Sequence, residues 1–104
     1  MLNNIILNEE DYSLLSEFYN NLRNINRLKI LVLLMNKEMS VNEIASTLKL
    51  DQSNTSQQLK LLKLTGLIVS SKKGKQIIYS LKDDCAKKII SATITHLKED
   101  DYDK

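Results

Sequence analysis

At 104 residues with a net charge of +2, the chain is sized for one domain and can bury roughly 65% of the surface it exposes when unfolded. No stretch approaches the roughly 18 apolar residues of a membrane span, and the start MLNNIILNEED lacks the basic n-region of a secretory signal. The single cysteine, Cys85, excludes an intrachain disulfide and fits a reducing cytoplasm, so a cytoplasmic chain with no membrane partner is expected.

The composition predicts a mostly helical domain: there is no proline, there are two glycines, and there is neither an internal repeat nor a low-complexity segment. From Glu9 to Leu22 a first helix is predicted, with Asn8 as its N-cap and Leu14, Leu15, Phe18, Tyr19 and Leu22 on one side. Asn24 or Asn26 breaks that pattern, and RLKILVLLMN resumes it from Arg27 to Asn36. Leu28, Leu31, Val32, Leu34 and Met35 leave this second helix apolar nearly all round, which predicts a place at the centre of the core. Ser40-Val41-Asn42-Glu43 has the S-x-x-E form of a capping box and opens a short helix, Val41 to Leu48, burying Val41, Ile44, Ala45 and Leu48.

A turn around Lys49 to Asp51 leads into DQSNTSQQLKLLKLTGLI, with Asp51 where an N-cap should stand and Gly66 where a C-terminal glycine should. Thr55, Leu59 and Leu62 form its inner stripe; Ser53, Ser56, Gln57 and Lys60 form the outer one. Every outer residue can hydrogen-bond and none is acidic, whereas an ordinary solvated face mixes Glu with Lys. Such a face suits a duplex groove, because Gln can pair twice with adenine and Ser serves bases or phosphates. Two β-leaning runs follow, Leu67 to Ser71 and Gln76 to Leu81, joined by Lys72-Lys73-Gly74-Lys75. Ile77, Ile78, Tyr79 and Leu81 read as core. Residues 52–82 carry six lysines and no acid, while residues 1–26 sum to −3. Lysines placed there would neutralise phosphates and make binding salt-dependent, although an acidic protein partner would use the same patch.

The closing stretch, Asp83 to Glu99, predicts a helix whose apolar stripe of Ala86, Ile89, Ile90, Thr93, Ile94 and Leu97 is too long for a peripheral helix and calls for a partner helix. Around it stand Asp83, Cys85, His96 and Glu99. Cys85 and His96 are roughly 16 Å apart at about 1.5 Å of rise per residue, far beyond metal-ligand distances, so one helix cannot supply all four. An antiparallel twin can: Cys85 and His96 lie symmetrically about Ile90 and Ser91, and so do Asp83 and Glu99. Two equivalent sites would then each take Asp83 and Cys85 from one chain and His96 and Glu99 from the other. Singly, each residue has a plainer role: Asp83 a helix cap, Cys85 a small buried hydrophobe, His96 a solvated side chain.

At these residues the chain resembles the ArsR/SmtB family of bacterial metal-responsive repressors, over about Leu14 to Glu99 and most specifically in QSNTSQQLKLLK and KKGKQIIYSL. Among its members it is most similar to the zinc- and cobalt-sensing repressors. The resemblance implies a homodimer through the first and last helices that holds an operator until an inducer weakens the grip. Zinc sensors of this type carry D-x-H, ten residues, then H-x-x-E or H-x-x-H in the closing helix. Here the spacing is kept as D-x-C, ten residues, H-x-x-E, with Cys85 where His is usual. Some members place paired cysteines in the short third helix to bind soft metals; the corresponding residues, Val41 to Ser46, include no cysteine.

The expected architecture is therefore mostly α: one winged helix-turn-helix domain over residues 1–104, of about five helices and a two-stranded β wing. The helix-turn-helix spans about 40–65, the wing about 67–81 and the dimer and sensor helix about 83–99. The expected DNA-contacting residues are Gln52, Ser53, Ser56, Gln57, Lys60, Lys72, Lys73 and Lys75, on an inverted-repeat operator in double-stranded DNA. The expected metal ligands are Asp83, Cys85, His96 and Glu99, for zinc, with cobalt or another divalent ion as alternatives. Three other readings compete: a same-fold repressor sensing a redox or electrophilic signal through Cys85, a non-metal member with a degenerate site, and a protein-interaction module using the basic face. An enzyme is not expected, since the chain has one His, no nucleophile with an adjacent base and no Gly-rich phosphate loop.

Overall fold

The computed structural model describes residues 4–99; residues 1–3 and 100–104 of the expected domain lie outside the described residues. Helix α1, Glu9–Leu22, opens with a capping box in which Asn8 Oδ1 accepts the Asp11 N–H at 2.8 Å and the Asp11 carboxylate accepts the Asn8 N–H at 3.1 Å. Helix α2, Ile25–Asn36, begins two residues before the sequence pattern resumes, because Asn24 Oδ1 accepts the Arg27 N–H and so sets the helix start. It lies at the centre of the core as expected, with Ile30, Leu31 and Leu34 buried. Val32 is the exception: it is exposed, since even an apolar helix turns one face away from its neighbours.

The predicted capping box of α3, Val41–Leu48, is present: Ser40 Oγ accepts the Glu43 N–H at 3.1 Å and Glu43 Oε1 accepts the Ser40 N–H at 3.0 Å. This helix ends in the turn expected around Lys49 to Asp51, but with a left-handed residue that sequence patterning does not reveal. Lys49 adopts φ +58°, the Leu50 N–H reaches Ala45 O and the Lys49 N–H reaches Ser46 O. That is a Schellman closure with lysine at the position glycine usually takes. Helix α4, Gln52–Lys63, starts at Asp51, whose Oδ1 accepts the Asn54 N–H. It ends in tightened i→i−3 bonds from Leu64, Thr65 and Gly66, with Gly66 at φ +77°.

The sheet has the order β1-β3-β2 and is antiparallel throughout. Strands β2, Ile68–Lys73, and β3, Gln76–Leu81, form the wing, joined through Gly74 at φ +63°, a glycine-first two-residue turn. Strand β3 has the bounds expected from the sequence, whereas β2 runs two residues closer to the turn, since Lys72 and Lys73 pair with Ile77 and Gln76. A third strand, β1, Met39–Ser40, was not anticipated; two residues carry no periodicity, yet they pair with Tyr79 and Ile78 and tie the start of α3 to the wing. Tyr79 is buried and Ile78 and Leu81 are half-buried, but Ile77 is 48% exposed, because the hairpin extends beyond the helices that cover its base.

Helix α5, Cys85–Glu99, packs on α2 through Ala86, Ile89 and Ile90. Its second half leaves that core. Every residue from Ser91 to Glu99 is exposed, including Ile94 and Leu97. In α1, likewise, only Phe18 and Leu22 reach the core, whereas Leu14, Leu15 and Tyr19 are exposed.

Candidate nucleic-acid interface and sensor helix

Helix α4 turns the two stripes read from the sequence to opposite environments. Thr55, Leu59 and Leu62 are fully buried, and the Thr55 hydroxyl donates to Asp51 O at 2.9 Å, so its burial leaves no donor unpaired. On the other side Gln52, Ser53, Ser56, Gln57 and Lys60 line one open concavity. Five of the eight residues expected to contact DNA are thus brought together on one surface. Of the remaining three, Lys72 is exposed on β2, and Lys75 lines a second crevice shared with Gln52 and Ser56. Lys73 is engaged within the protein: its Nζ donates to Glu38 Oε1 at 2.9 Å, in an ion pair with both side chains more than half exposed. An exposed pair of this kind holds weakly and can be exchanged for a phosphate.

Two polar residues outside the sequence-based set, Asn42 at the start of α3 and Gln76 at the start of β3, line the crevice with Lys75. They come from elements far apart in sequence, so no local spacing could have assembled them.

The four expected metal ligands occupy the two ends of α5. Asp83 precedes the helix rather than opening it, and its Oδ1 accepts the Cys85 N–H at 2.9 Å. Asp83 thus makes an Asx turn onto the first residue of the helix, one residue outside the N-cap position held by Asp84, and this places its carboxylate beside the thiol. The Cys85 N–H and then the thiol hold the Asp83 carboxyl below its ordinary value, while hydrogen bonding to Asp83 and its charge push the Cys85 thiol up. Cys85 is exposed, which corrects its plainer reading as a buried hydrophobe. His96 and Glu99, one helical turn apart, are exposed on the far end. Among the described residues no three His, Cys, Asp or Glu side chains of one protomer converge. The two half-sets, O and S at one end and N and O at the other, are the donors zinc takes in fours.

The crystal structure of Mycobacterium tuberculosis Rv0081 matches this fold with a TM-score of 0.84 and 31% identity, over 92% of this chain and 97% of that one. The family model described as bacterial regulatory protein, arsR family, matches residues 24–70, from the cap of α2 through the helix-turn-helix into β2. The chain belongs to the ArsR family. This is a family of transcriptional regulators, not of enzymes, and the matched residues hold α2, the helix-turn-helix and the start of the wing.

Among the relatives of this ArsR-family chain, the HTH-type transcriptional regulator NmtR of Mycobacterium tuberculosis is 36% identical over 70 residues, 67% of this chain and 58% of NmtR. The transcriptional repressor SmtB homolog of Synechocystis is 29% identical over 87 residues, 84% of this chain and 66% of that protein. The chain thus spans less than two thirds of either relative. Reduced HlyU of Vibrio cholerae gives a TM-score of 0.72 at 32% identity, over 81% of this chain and 88% of that one. The homodimeric winged helix-turn-helix DNA-binding domain Mb0332 of Mycobacterium bovis has a TM-score of 0.82 at 22% identity, over 95% of this chain and 92% of that one, a likeness of fold alone. Among the described residues no helix is long and apolar enough to cross a membrane.

Proposed function

We propose that the chain is a homodimeric, DNA-binding transcriptional repressor that releases an inverted-repeat operator when zinc binds between the closing helices. The observation that carries the DNA half is the acid-free surface of Gln52, Ser53, Ser56, Gln57 and Lys60. An α-helix fits the major groove, amides and hydroxyls can read base edges, and lysines of the wing meet phosphates. A two-fold protein would read two-fold DNA, which is the reason to expect an inverted repeat.

Dimerisation through α1 and α5 is supported by the apolar surface these helices leave uncovered, Leu14 and Tyr19 on one, Ile94 and Leu97 on the other. A second copy is the occupant that the symmetric spacing of the ligands requires. Asp83 and Cys85 of one protomer with His96 and Glu99 of its partner would hold the metal, and the metal would supply a bridge between the two helices. The thiolate softens the site relative to an all-N/O set, and cobalt remains compatible with it.

The second reading makes Cys85 a redox or electrophile sensor, favoured by the exposure of its thiol. Its upward shift beside Asp83 argues the other way, since reactive cysteines are those whose pKa is lowered.

The deciding experiment measures protein purified without chelator for bound metal, then titrates duplex binding with and without zinc. Zinc should weaken binding by a coupling of about 1–3 kcal/mol, and DNA should weaken zinc by the same factor. Equal zinc affinity for free and DNA-bound protein would leave a metal site without a switch.

A further inference from the structure

The reading face of α4 and the wing are separated by a crevice whose walls come from three elements. Val41 and Asn42 at the start of α3, Gln52 and Ser56 of α4, and Lys75 and Gln76 at the wing turn all line it. No carboxylate is among its lining residues. Two acids adjoin lining residues in sequence: Glu43 turns back to accept the Ser40 N–H and lines a different cleft, and the Asp51 carboxylate caps α4 by accepting the Asn54 N–H. Asn42 and Gln76 are exposed, each offering an amide NH₂ donor. The Ser40 cap takes the Glu43 N–H, so the first-turn N–H groups of Val41 and Asn42 have no intrahelical acceptor.

The topology of a duplex decides what such a crevice receives. A helix lying in the major groove and a wing reaching past it straddle one sugar–phosphate strand, so that strand must pass between them. A phosphodiester needs several donors and no competing anion, and Asn, Gln, Lys and backbone N–H groups are its usual partners. Ile77, exposed on the same wall, offers an apolar surface for a deoxyribose.

We propose that this crevice is a phosphodiester site in which Asn42 and Gln76, with Lys75, hold one backbone phosphate in each half-site. These two residues position the duplex and do not read its sequence. The assignment rests on the DNA-binding reading above.

The test uses the full chain and two probes of equal length: a duplex of about 30 base pairs selected by the wild-type protein from a randomised pool, long enough for two half-sites, and a random-sequence duplex. Asn42→Ala and Gln76→Ala should each weaken both probes by a similar factor, about three- to tenfold for a lost hydrogen bond, leaving discrimination unchanged. Neither removes a charge, so the salt slope should hold, whereas Lys75→Ala should flatten it by about 0.9. Asn42→Asp should bind more weakly than Asn42→Ala, since it sets a carboxylate against the phosphate. A neutral methylphosphonate at one position per half-site should weaken the wild type and leave the triple variant Asn42→Ala/Lys75→Ala/Gln76→Ala unaffected. Thermal melting of each variant separates a local loss from a folding defect. If wild type binds both probes and the two alanine variants bind like it, the crevice assignment fails alone. A loss confined to the selected duplex would make the residues base readers and overturn it as well. Failure of wild type to bind any duplex would overturn the DNA-binding reading together with the crevice.

Discussion

Glu38 and Lys73 show how a single exposed ion pair can bear on function. Their contact at 2.9 Å joins the wing to the segment between α2 and β1, and it occupies a lysine otherwise available to a phosphate. Because exposed pairs hold by less than about 1 kcal/mol, Lys73 can leave Glu38 for DNA, at a cost of only a fewfold in affinity. Glu38→Gln should therefore strengthen binding to any duplex about two- to fivefold, read by fluorescence anisotropy at low salt. Unchanged affinity would show that Glu38 does not compete. At Cys85 the neighbouring Asp83 raises the thiol, so a smaller fraction is thiolate at a given pH than in an isolated cysteine. Asp83→Asn removes both the charge and the stronger acceptor. The pH midpoint of Cys85 alkylation should move down, with faster alkylation near neutrality. The same sign governs metal binding: coordination displaces the thiol proton, so zinc affinity should rise with pH through the raised value. An alkylation midpoint unmoved by Asp83→Asn would mean that Asp83 does not set the thiol's proton affinity.

Helix α4 separates stability from recognition on its two faces. Thr55 is fully buried and its hydroxyl shares Asp51 O with its own backbone N–H. Thr55→Val keeps the shape and removes one hydrogen bond of a carbonyl that retains another. It should cost about 0.5–1.5 kcal/mol in chemical denaturation at fixed protein concentration, with duplex discrimination unchanged. Gln57→Ala, on the exposed face, should do the reverse: stability within about 0.5 kcal/mol and relaxed discrimination between selected and random duplexes. Intact discrimination in Gln57→Ala would move the reading surface elsewhere on the domain. The neighbouring helix α3 is fixed at both ends, by the Ser40–Glu43 box and by the left-handed Lys49, so the angle at which α4 is presented depends on short, locally determined turns.

For the whole molecule the decisive question is whether the metal site is shared. One chain carrying Asp83→Ala and Cys85→Ala, and another carrying His96→Ala and Glu99→Ala, should each form homodimers that fail to hold zinc tightly. The purified heterodimer combines the intact Asp83 and Cys85 of the second chain with the intact His96 and Glu99 of the first. It should bind one tight zinc, measured by elemental analysis after desalting. A site built within one chain gives no complementation, and an empty heterodimer would sink the crossing-helix arrangement. Both halves are exposed at opposite ends of α5, and the second half of that helix leaves its own core with Ile94 and Leu97 uncovered.

Local physics made much of this legible in the sequence alone. The Asn8, Ser40 and Asp51 caps, the buried stripe Thr55, Leu59 and Leu62, and the wing strands each depend on residues within a turn or two of one another. Caps and stripes are properties of spacing, and spacing is written in the chain. Tertiary packing decided the rest. It covered Tyr79 and exposed Ile77, two residues away on the same strand, because the helices end where the hairpin continues. It exposed Val32 in a helix apolar on nearly every side. It paired Met39 and Ser40 with β3 although two residues show no strand pattern, and it set Glu38 against Lys73, thirty-five positions apart. It also brought Asn42 and Gln76 to one crevice from separate elements. Contacts of that range depend on how whole elements are stacked, and the spacing of neighbouring residues carries no record of it.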